Sequence, residues 1–252
     1  MSVFLSVENI NLTYQTPEGE TQAVKDVSFT VREGEFISIV GPSGCGKSSL
    51  LSCIAGVTLP TKGRIMLEGR RINGISNDAG YMLQSDNLMP WRNIYKNAVL
   101  GLEIQKKLTD ENISYVRELL KKYGLWEFRN SYPASLSGGM RQRVALIRTL
   151  AVRPRLLLLD EAFSALDYQT RVNVGRDVYN ILRSEKQTMI MVTHDIPEAV
   201  SMSDRVIVLS QRPAVIAKIA DIPFGEQRDT VAVRNTQQYR DCYDIVWKEM
   251  SM

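Results

Sequence analysis

The strongest constraint on this chain is a glycine-rich stretch of eight residues that follows a short apolar run. Its residues match the pattern G-x-x-x-x-G-K-[ST] at every fixed position, and they are Gly41, Pro42, Ser43, Gly44, Cys45, Gly46, Lys47 and Ser48. The apolar run at 36–40 predicts a buried strand, and 49–55 predict a helix. Between a strand and a helix, backbone N–H groups and the helix dipole together surround an anion. The stretch, called the phosphate loop below, therefore predicts a phosphate-binding site.

Three side chains of this region have expected roles. We expect Lys47 to reach the terminal phosphates of a nucleotide and the Ser48 hydroxyl to ligate magnesium. Ser49 begins the helix and completes the predicted nucleotide contacts. Because a helix N-terminus favours an anion, we also expect Cys45 to be a reactive thiolate whose alkylation blocks nucleotide binding.

Composition limits the classes of protein to which such a loop can belong. The chain has 252 residues, of which 44% are apolar and 23% charged, as is ordinary for a globular protein with a substantial core. No apolar run approaches the roughly 18 residues that a membrane span needs. A net charge of +3 with scattered basic residues gives little support to nucleic acid as a partner. Three cysteines without a C-x-x-C spacing favour a reducing compartment, so we expect a cytoplasmic protein.

The predicted strands indicate a mostly parallel core sheet with a smaller sheet before it. Alternation over 3–15, followed by a second strand at 24–31, predicts a small antiparallel sheet that leads into the phosphate loop. Later runs are short and apolar on both faces, and their spacing is that of an alternating α/β fold. These runs cover 156–159, 189–192 and 205–209.

A helical segment interrupts this pattern. Periodicity over 94–107 and 110–123, with Asp110 as a plausible cap, predicts two helices, and 138–152 predict a third. The chain is therefore read as one domain with an inserted helical subdomain. Its predicted parts are a nucleotide-binding core at 1–86 and 155–220, a helical subdomain at 87–154, and an extension at 221–252 that ends in a helix over 237–250.

Two adjacent carboxylates, Asp160 and Glu161, end the apolar run at 156–159. In a phosphate-loop protein the first carboxylate at such a strand end belongs beside magnesium. The second is placed where it can polarise a water for attack on a γ-phosphate. Together with the phosphate loop, the pair predicts hydrolysis of a nucleoside triphosphate.

A second anion site is predicted at 136–143, which read Leu-Ser-Gly-Gly-Met-Arg-Gln-Arg and are called the signature segment below. Ser137 is a helix cap, and Gly138 and Gly139 open the helix, so unpaired N–H groups and the helix dipole point outward. If both sites bound the same nucleotide within one chain, the second would be redundant. The presence of two anion sites therefore needs another explanation.

The signature segment resembles the signature sequence of ATP-binding cassette (ABC) ATPases, and the other marks of that family follow in order. They are Tyr14, at the position that stacks on adenine; Gln84, between core and helical subdomain; Asp167, in the loop 164–167 after the carboxylates; and His194, at the position of the switch histidine. The resemblance covers residues 3 to about 220. Each motif is short, but the ordered set is specific.

The resemblance implies an α/β P-loop NTPase fold of the ABC-ATPase type, with ATP and Mg²⁺ as cofactors. It implies catalytic roles for Glu161, His194 and Gln84, and metal contacts from Ser48, Gln84 and Asp160. It also implies two cassettes facing head to tail, as a homodimer or as a pseudo-dimer with a similar ATPase. Each ATP would then lie between one subunit's phosphate loop and the signature segment of the other.

A further resemblance concerns 87–94, which contain the sequence Leu-Met-Pro-Trp. This segment resembles the Leu-Pro-Trp stretch of ATPases from nitrate, taurine and aliphatic-sulfonate importers. It implies separate permease subunits, a periplasmic or extracellular solute-binding protein, and a peripheral position on the cytoplasmic face of the membrane. Two alternatives stay open: the ATPase of a two-component exporter, and a soluble non-transport cassette. The transported solute is not determined by this chain.

Overall fold

Two sheets organise the structure, a computed structural model that describes residues 3–17, 19–225 and 228–251. The first sheet is antiparallel throughout and consists of β1 (Val3–Thr16), β2 (Gly19–Arg32), β4 (Lys62–Leu67) and β5 (Arg70–Arg71). Their order is β2-β1-β4-β5. Along the second half of β2, buried and exposed residues alternate, so one face packs on the core. The predicted antiparallel sheet is confirmed.

The second sheet forms the centre of the molecule. Its strands are β3 (Phe36–Val40), β6 (Ala79–Met82), β7 (Leu156–Asp160), β8 (Thr188–Val192), β9 (Arg205–Leu209) and β10 (Ile216–Asp221). The order is β10-β9-β3-β8-β7-β6, parallel except for β10 at one edge. Every residue of β3, β7 and β8 is buried, as expected for parallel strands covered on both faces. The predicted mostly parallel core is confirmed.

Helices connect these strands. Within the described ranges they are α1 (Lys47–Ile54), α2 (Ile94–Ala98), α3 (Leu100–Ile104), α4 (Asp110–Lys122), α5 (Gly138–Leu150), α6 (Tyr168–Ser184), α7 (Ile196–Met202) and α8 (Gln237–Met250). Helices α2 to α5 fall between β6 and β7 in the chain. In the described part of the chain, no helix has the length and apolar character that crossing a membrane requires.

Two helix predictions are wrong in detail. The single helix predicted over 94–107 is split into α2 and α3, because Val99 (φ −87°, ψ −2°) ends one helix and begins the other. The cap of α4 is Thr109, whose hydroxyl accepts a hydrogen bond from the Asn112 backbone N–H at 3.3 Å. Asp110 lies one residue later, in the first turn, where its charge complements the helix dipole.

The C-terminal segment covers the core beside β9 and β10. Tyr239, Cys242 and Val246 of α8 are buried in one cluster with residues of α7 and β9. Ahead of α8, the buried Arg228 forms a 2.6 Å ion pair with Asp204. The described part of 221–252, whose role the sequence leaves open, therefore packs on the core of its own chain.

Candidate functional site

The phosphate loop lies between the carboxyl end of β3 and the first residue of α1. Gly46 has φ +128°, and a Cβ at this position would lie 2.7 Å from the carbonyl oxygen of Ala23, so a side chain has no room there. The Lys47 ammonium is buried and donates to the carbonyl oxygens of Gly41 and Pro42, at 2.8 and 2.9 Å. The loop thus surrounds its own lysine and lies at the positive end of α1. This position at a helix N-terminus favours the binding of an anion.

A cavity of about 220 Å³ adjoins the phosphate loop. Its walls come from β1, β2, the loop itself, the end of β7 and the connection after β9, and the lining residues are Tyr14, Thr21, Ala23, Ser43, Gly44, Gly46, Lys47, Ser48, Ser49, Glu161 and Arg212. The Tyr14 side chain is 39% exposed, and its hydroxyl donates to Ser49 Oγ at 3.2 Å. This bond joins the antiparallel sheet to α1 and leaves an aromatic ring at the cavity for a planar base to stack on.

Two of the three predicted magnesium contacts, Ser48 and Asp160, are adjacent, whereas the Gln84 amide nitrogen donates to Glu161 and Ser164. Ser48 Oγ donates to Asp160 Oδ1 at 2.8 Å, and the Tyr81 hydroxyl donates to Asp160 Oδ2 at 3.0 Å. Adjacent ligands of an octahedral Mg²⁺ shell, with Mg–O distances of about 2.1 Å, are about 3 Å apart, so the Ser48 and Asp160 oxygens fit that ion. Burial, aided by the Asp160 carboxylate, raises the pKa of Tyr81 to about 12, so its hydroxyl remains a donor.

Three further side chains meet beyond the ends of β6, β7 and β8, which lie side by side in the sheet. Glu161 Oε2 lies 3.1 Å from His194 Nδ1 and 3.4 Å from Gln84 Nε2. Gln84 Nε2 also donates to Ser164 Oγ at 3.2 Å. Glu161 has a backbone φ of +47°. Residues other than glycine rarely adopt this left-handed conformation, and it often occurs at functional sites. The arrangement brings an imidazole and an amide to the Glu161 carboxylate, and of the three groups the carboxylate is the one that lines the cavity.

The signature segment lies apart from this cavity within the chain, and the described residues that line the cavity include none from 137–139. The exposed Ser137 caps α5 by accepting from the Met140 N–H at 3.3 Å. A Cβ at Gly139 would lie 2.9 Å from Thr170, so the turn packs against the start of α6. Asp167 caps α6, and hydrogen bonds from Thr170 lower the pKa of Asp167. The two predicted anion sites are therefore separate surfaces of one chain.

The prediction of a reactive Cys45 is wrong for this conformation. The residue is only 2% exposed, and its sulfur lies 3.1 Å from the point where a Cβ on Gly41 would be. A thiol reagent needs access to the sulfur, and here the thiol packs inside the loop as a small apolar group.

Sequence reasoning missed several residues that the fold brings to the site. Arg212, from the connection between β9 and β10, lines the cavity and contacts the phosphate loop. Thr21 and Ala23 reach it from β2, and Tyr81 reaches Asp160 from β6. Of these residues, Tyr81 could have been found from the sequence, because it lies three residues before the predicted site residue Gln84. Arg212 belongs to no motif.

Behind His194 lies a buried carboxyl group. Glu198, on α7, is 7% exposed, and its Oε2 accepts from Thr193 Oγ1 at 2.6 Å. Burial raises the pKa of Glu198 to about 7, against the effect of the Thr193 hydroxyl. The charged groups that act on it are Asp195, Arg171 and Arg234. At neutral pH this carboxyl is therefore more protonated than an exposed glutamate, and it lies next to Thr193, the residue before His194.

Glu198→Gln is expected to become progressively more stable than the wild type as pH rises. The native pKa of Glu198 lies above its unfolded value of about 4.5, so the contribution of this group to stability is complete below pH 4.5 and is lost as pH rises from there to about 7. The amide of the variant can still accept the hydrogen bond from the Thr193 hydroxyl, and it carries no charge whose burial would cost free energy. Between pH 5 and 8, the difference in free energy of unfolding should widen by about 2 kcal/mol. Urea denaturation measures it, and Glu127→Gln, on an exposed residue, is the control. A gap that does not change with pH would contradict the raised pKa.

Taken together, the sheet order, the phosphate loop and the carboxylate pair define a phosphate-loop nucleotide-binding protein with an ABC cassette architecture. Residues 24–164 match the family described as ABC transporter, and the chain belongs to this family. It is the ATP-binding, ATP-hydrolysing subunit of a transporter.

Relatives support this assignment over almost the full chain. The uncharacterized ABC transporter ATP-binding protein YtlC of Bacillus subtilis is 44% identical over 253 residues, which cover 98% of this chain and 96% of that protein. The nitrate import ATP-binding protein NrtC of Synechococcus elongatus is 41% identical over 96% of this chain, which spans 37% of that longer protein. A dimeric structure of the cassette MJ0796 bound to ADP and Pi has a TM-score of 0.74 and 30% identity, and covers 88% of this chain and 100% of its own.

Proposed function

We propose that this chain drives an importer of a small solute, working with a separate permease and a solute-binding protein. The observation that carries the proposal is the 41% identity with the nitrate import protein NrtC over 96% of the chain. The segment 87–94, with its Pro90-Trp91 pair, adds to it. In this proposal the chain lies on the cytoplasmic face of the membrane, held there by the permease. Nitrate is one candidate solute, and sulfonates, taurine and related organic solutes are others.

For the nucleotide site, we propose that Tyr14 stacks on adenine while the phosphate loop and Lys47 hold the phosphates. The contact of Tyr14 with Ser49 supports this role, because it fixes the ring beside the same cavity. Ser48, Asp160 and the amide oxygen of Gln84 are proposed to be the groups that would hold Mg²⁺, which would supply positive charge to the phosphate oxygens. The 2.8 Å spacing of the Ser48 and Asp160 oxygens supports this part.

For hydrolysis, we propose that Glu161 polarises the attacking water. Its carboxylate lines the phosphate cavity and is 21% exposed, so it is neither fully desolvated nor freely mobile. His194 and Gln84, at 3.1 and 3.4 Å, keep the carboxylate in place and provide further contacts to the water and the γ-phosphate. The attack itself needs little covalent chemistry from the protein, so positioning accounts for most of the rate.

The signature segment is proposed to act on the nucleotide of a second cassette. Its separation from the cavity of its own chain favours this arrangement, as does the dimeric state of the similar cassette MJ0796. Ser137, Gly138 and Gly139 would contact the partner's γ-phosphate, and Asp167 would lie at the same interface. ATP then stabilises a closed dimer through contacts that exist only in that state, and hydrolysis releases it.

The permease is proposed to dock on the segment that follows Gln84. Trp91 is 73% exposed there, so a large aromatic side chain is available to a partner. Arg148 of α5 donates to the carbonyl oxygens of Asp86 and Asn87, both at 2.7 Å, and Arg141 pairs with Asp86 at 2.9 Å. The helix that begins at the signature segment thus holds the proposed docking segment, so movement of one is passed to the other.

Affinity capture tests the proposal. Tagged Glu161→Gln protein is incubated with MgATP in detergent-solubilised native membranes, and co-purifying chains are identified. We expect a multi-span permease, with a solute-binding protein bound or encoded beside it. Trp91→Glu should lose the permease and keep MgATP-dependent dimerisation, whereas the matched control Trp247→Glu, 54% exposed on α8, should keep both. A permease without any solute-binding protein would favour an exporter, and no membrane partner would favour a non-transport cassette.

A further inference from the structure

The connection between β9 and β10 is fixed against the antiparallel sheet. The Ala214 N–H donates to the carbonyl oxygen of Ala23 at 2.9 Å, and the Lys25 N–H donates to that of Ala214 at 2.9 Å. Val24 and Ala214 thereby form a parallel bridge, and both are fully buried. The connection is therefore anchored at a set position beside β2, where two of the cavity residues lie.

From this anchored segment, Arg212 reaches the phosphate loop. Its Nη2 and Nε both donate to the carbonyl oxygen of Gly44, at 2.7 and 3.2 Å. Apart from the chain neighbours of Gly44, the one described atom within 4 Å of a Cβ built there is Arg212 Nη2, at 3.7 Å. On that side of the loop, Arg212 is thus the contact that supports the Gly44 backbone.

By binding the Gly44 carbonyl oxygen, Arg212 fixes the orientation of the whole Gly44–Cys45 peptide plane. Because the peptide bond is planar, the Gly44 carbonyl and the Cys45 N–H point to opposite sides of one rigid unit. The Cys45 N–H donates to the Pro42 carbonyl oxygen at 3.3 Å, inside the turn of the loop. Gly44 itself has φ +70° and no side chain to restrict it, so without Arg212 this unit would keep the Cys45–Pro42 hydrogen bond on one side and lose its support on the other.

Arg212 also contributes charge. Among the described residues that line the cavity, the cations are Lys47 and Arg212, and the one acidic residue is Glu161. Lys47 is buried under the loop, whereas Arg212 is exposed at its outer side. The two cations therefore hold different parts of the loop, Lys47 the carbonyl oxygens of Gly41 and Pro42 and Arg212 that of Gly44.

We propose that Arg212 is a nucleotide-positioning residue that keeps the phosphate loop in its binding shape and adds positive charge at the cavity. This inference rests on the proposed nucleotide site and deepens it. Because the loop is ordered in advance, less conformational entropy is lost when a nucleotide binds. The effect acts on the loop, so it extends to ATP and ADP alike.

The test is titration calorimetry of the full chain with MgATP and with MgADP. Arg212→Ala is expected to raise both Kd values about tenfold, the loss expected for a hydrogen bond to a charged group. Arg212→Lys keeps the charge and one donor and should recover most of the affinity. Arg240→Ala, on an exposed arginine of α8, is the matched control. In steady-state hydrolysis KM should rise, whereas kcat should stay within about twofold of the wild-type value, because the Glu161 cluster is untouched.

Distinct outcomes would overturn the inference. If the wild type binds MgATP and Arg212→Ala binds both nucleotides equally well, Arg212 has no positioning role while the proposed nucleotide site stands. A loss confined to MgATP would assign Arg212 to direct γ-phosphate contact instead. A fall in Tm together with equal losses of kcat in the Lys and Ala variants would make the role merely structural. If the wild type itself fails to bind MgATP, the proposed site fails first.

Discussion

Replacing Glu161 by Gln is expected to lower ATP turnover by about 10²- to 10⁴-fold while MgATP still binds. Gln preserves the size of the side chain, its left-handed backbone and its contacts to His194 and Gln84. The neutral amide, however, cannot polarise a water as the carboxylate does. Phosphate release by the purified chain and by its complex with the permease measures the loss, and nucleotide binding is measured by titration.

The same variant should accumulate as a dimer in MgATP, since the closed state is no longer released by hydrolysis. Size-exclusion chromatography with and without MgATP detects this shift. Glu33→Gln, on an exposed residue of the turn before β3, is the matched control and should turn over normally. Glu161→Gln protein with wild-type phosphate release would refute the proposed role of this carboxylate.

Ser137→Arg is expected to lower the rate of ATP hydrolysis by about 100-fold or more without weakening ATP binding to the single chain. The exposed Ser137 lies outside the described residues that line the cavity of its own chain, so in the proposed dimer the added bulk would meet the partner's nucleotide and not its own. Loss of the cap on α5 costs about 1 kcal/mol by itself, and Ser137→Ala measures that cost without the bulk. Calorimetry and phosphate release on the three proteins separate the two effects.

Mixing two inactive variants makes this test sharper. A dimer of one Ser137→Arg chain and one Lys47→Ala chain contains one intact site if the signature segment acts on the partner. If it acted on its own chain, neither subunit would have an intact site. Recovered hydrolysis in the mixture therefore supports the trans arrangement, whereas a mixture as inactive as its parents contradicts it.

Local sequence patterns predicted the elements whose residues are contiguous. The phosphate loop, the Asp160-Glu161 pair and strands β3, β7, β8 and β9 each occupy a short run with a characteristic period or spacing. In the central sheet, strands β6 and β10 were not predicted, and both lie at an edge. In β10 a single residue, Ala220, is buried, so no apolar pattern marks it. In β6, Gly80 weakens the strand signal, although Pro154 leaves no room for a larger residue there.

The sequence by itself therefore determined the class of fold and most of the described residues that line the cavity at the phosphate loop, since these motifs require particular residue types at fixed local spacing. Only the tertiary structure placed Arg212 on Gly44, 168 positions away in the chain, and Tyr81 on Asp160, 79 positions away. It also showed that Cys45 is buried and that Glu198 is buried against Thr193, the residue before His194. Such contacts depend on how strands are ordered in the sheet, and no periodicity along the chain encodes that order.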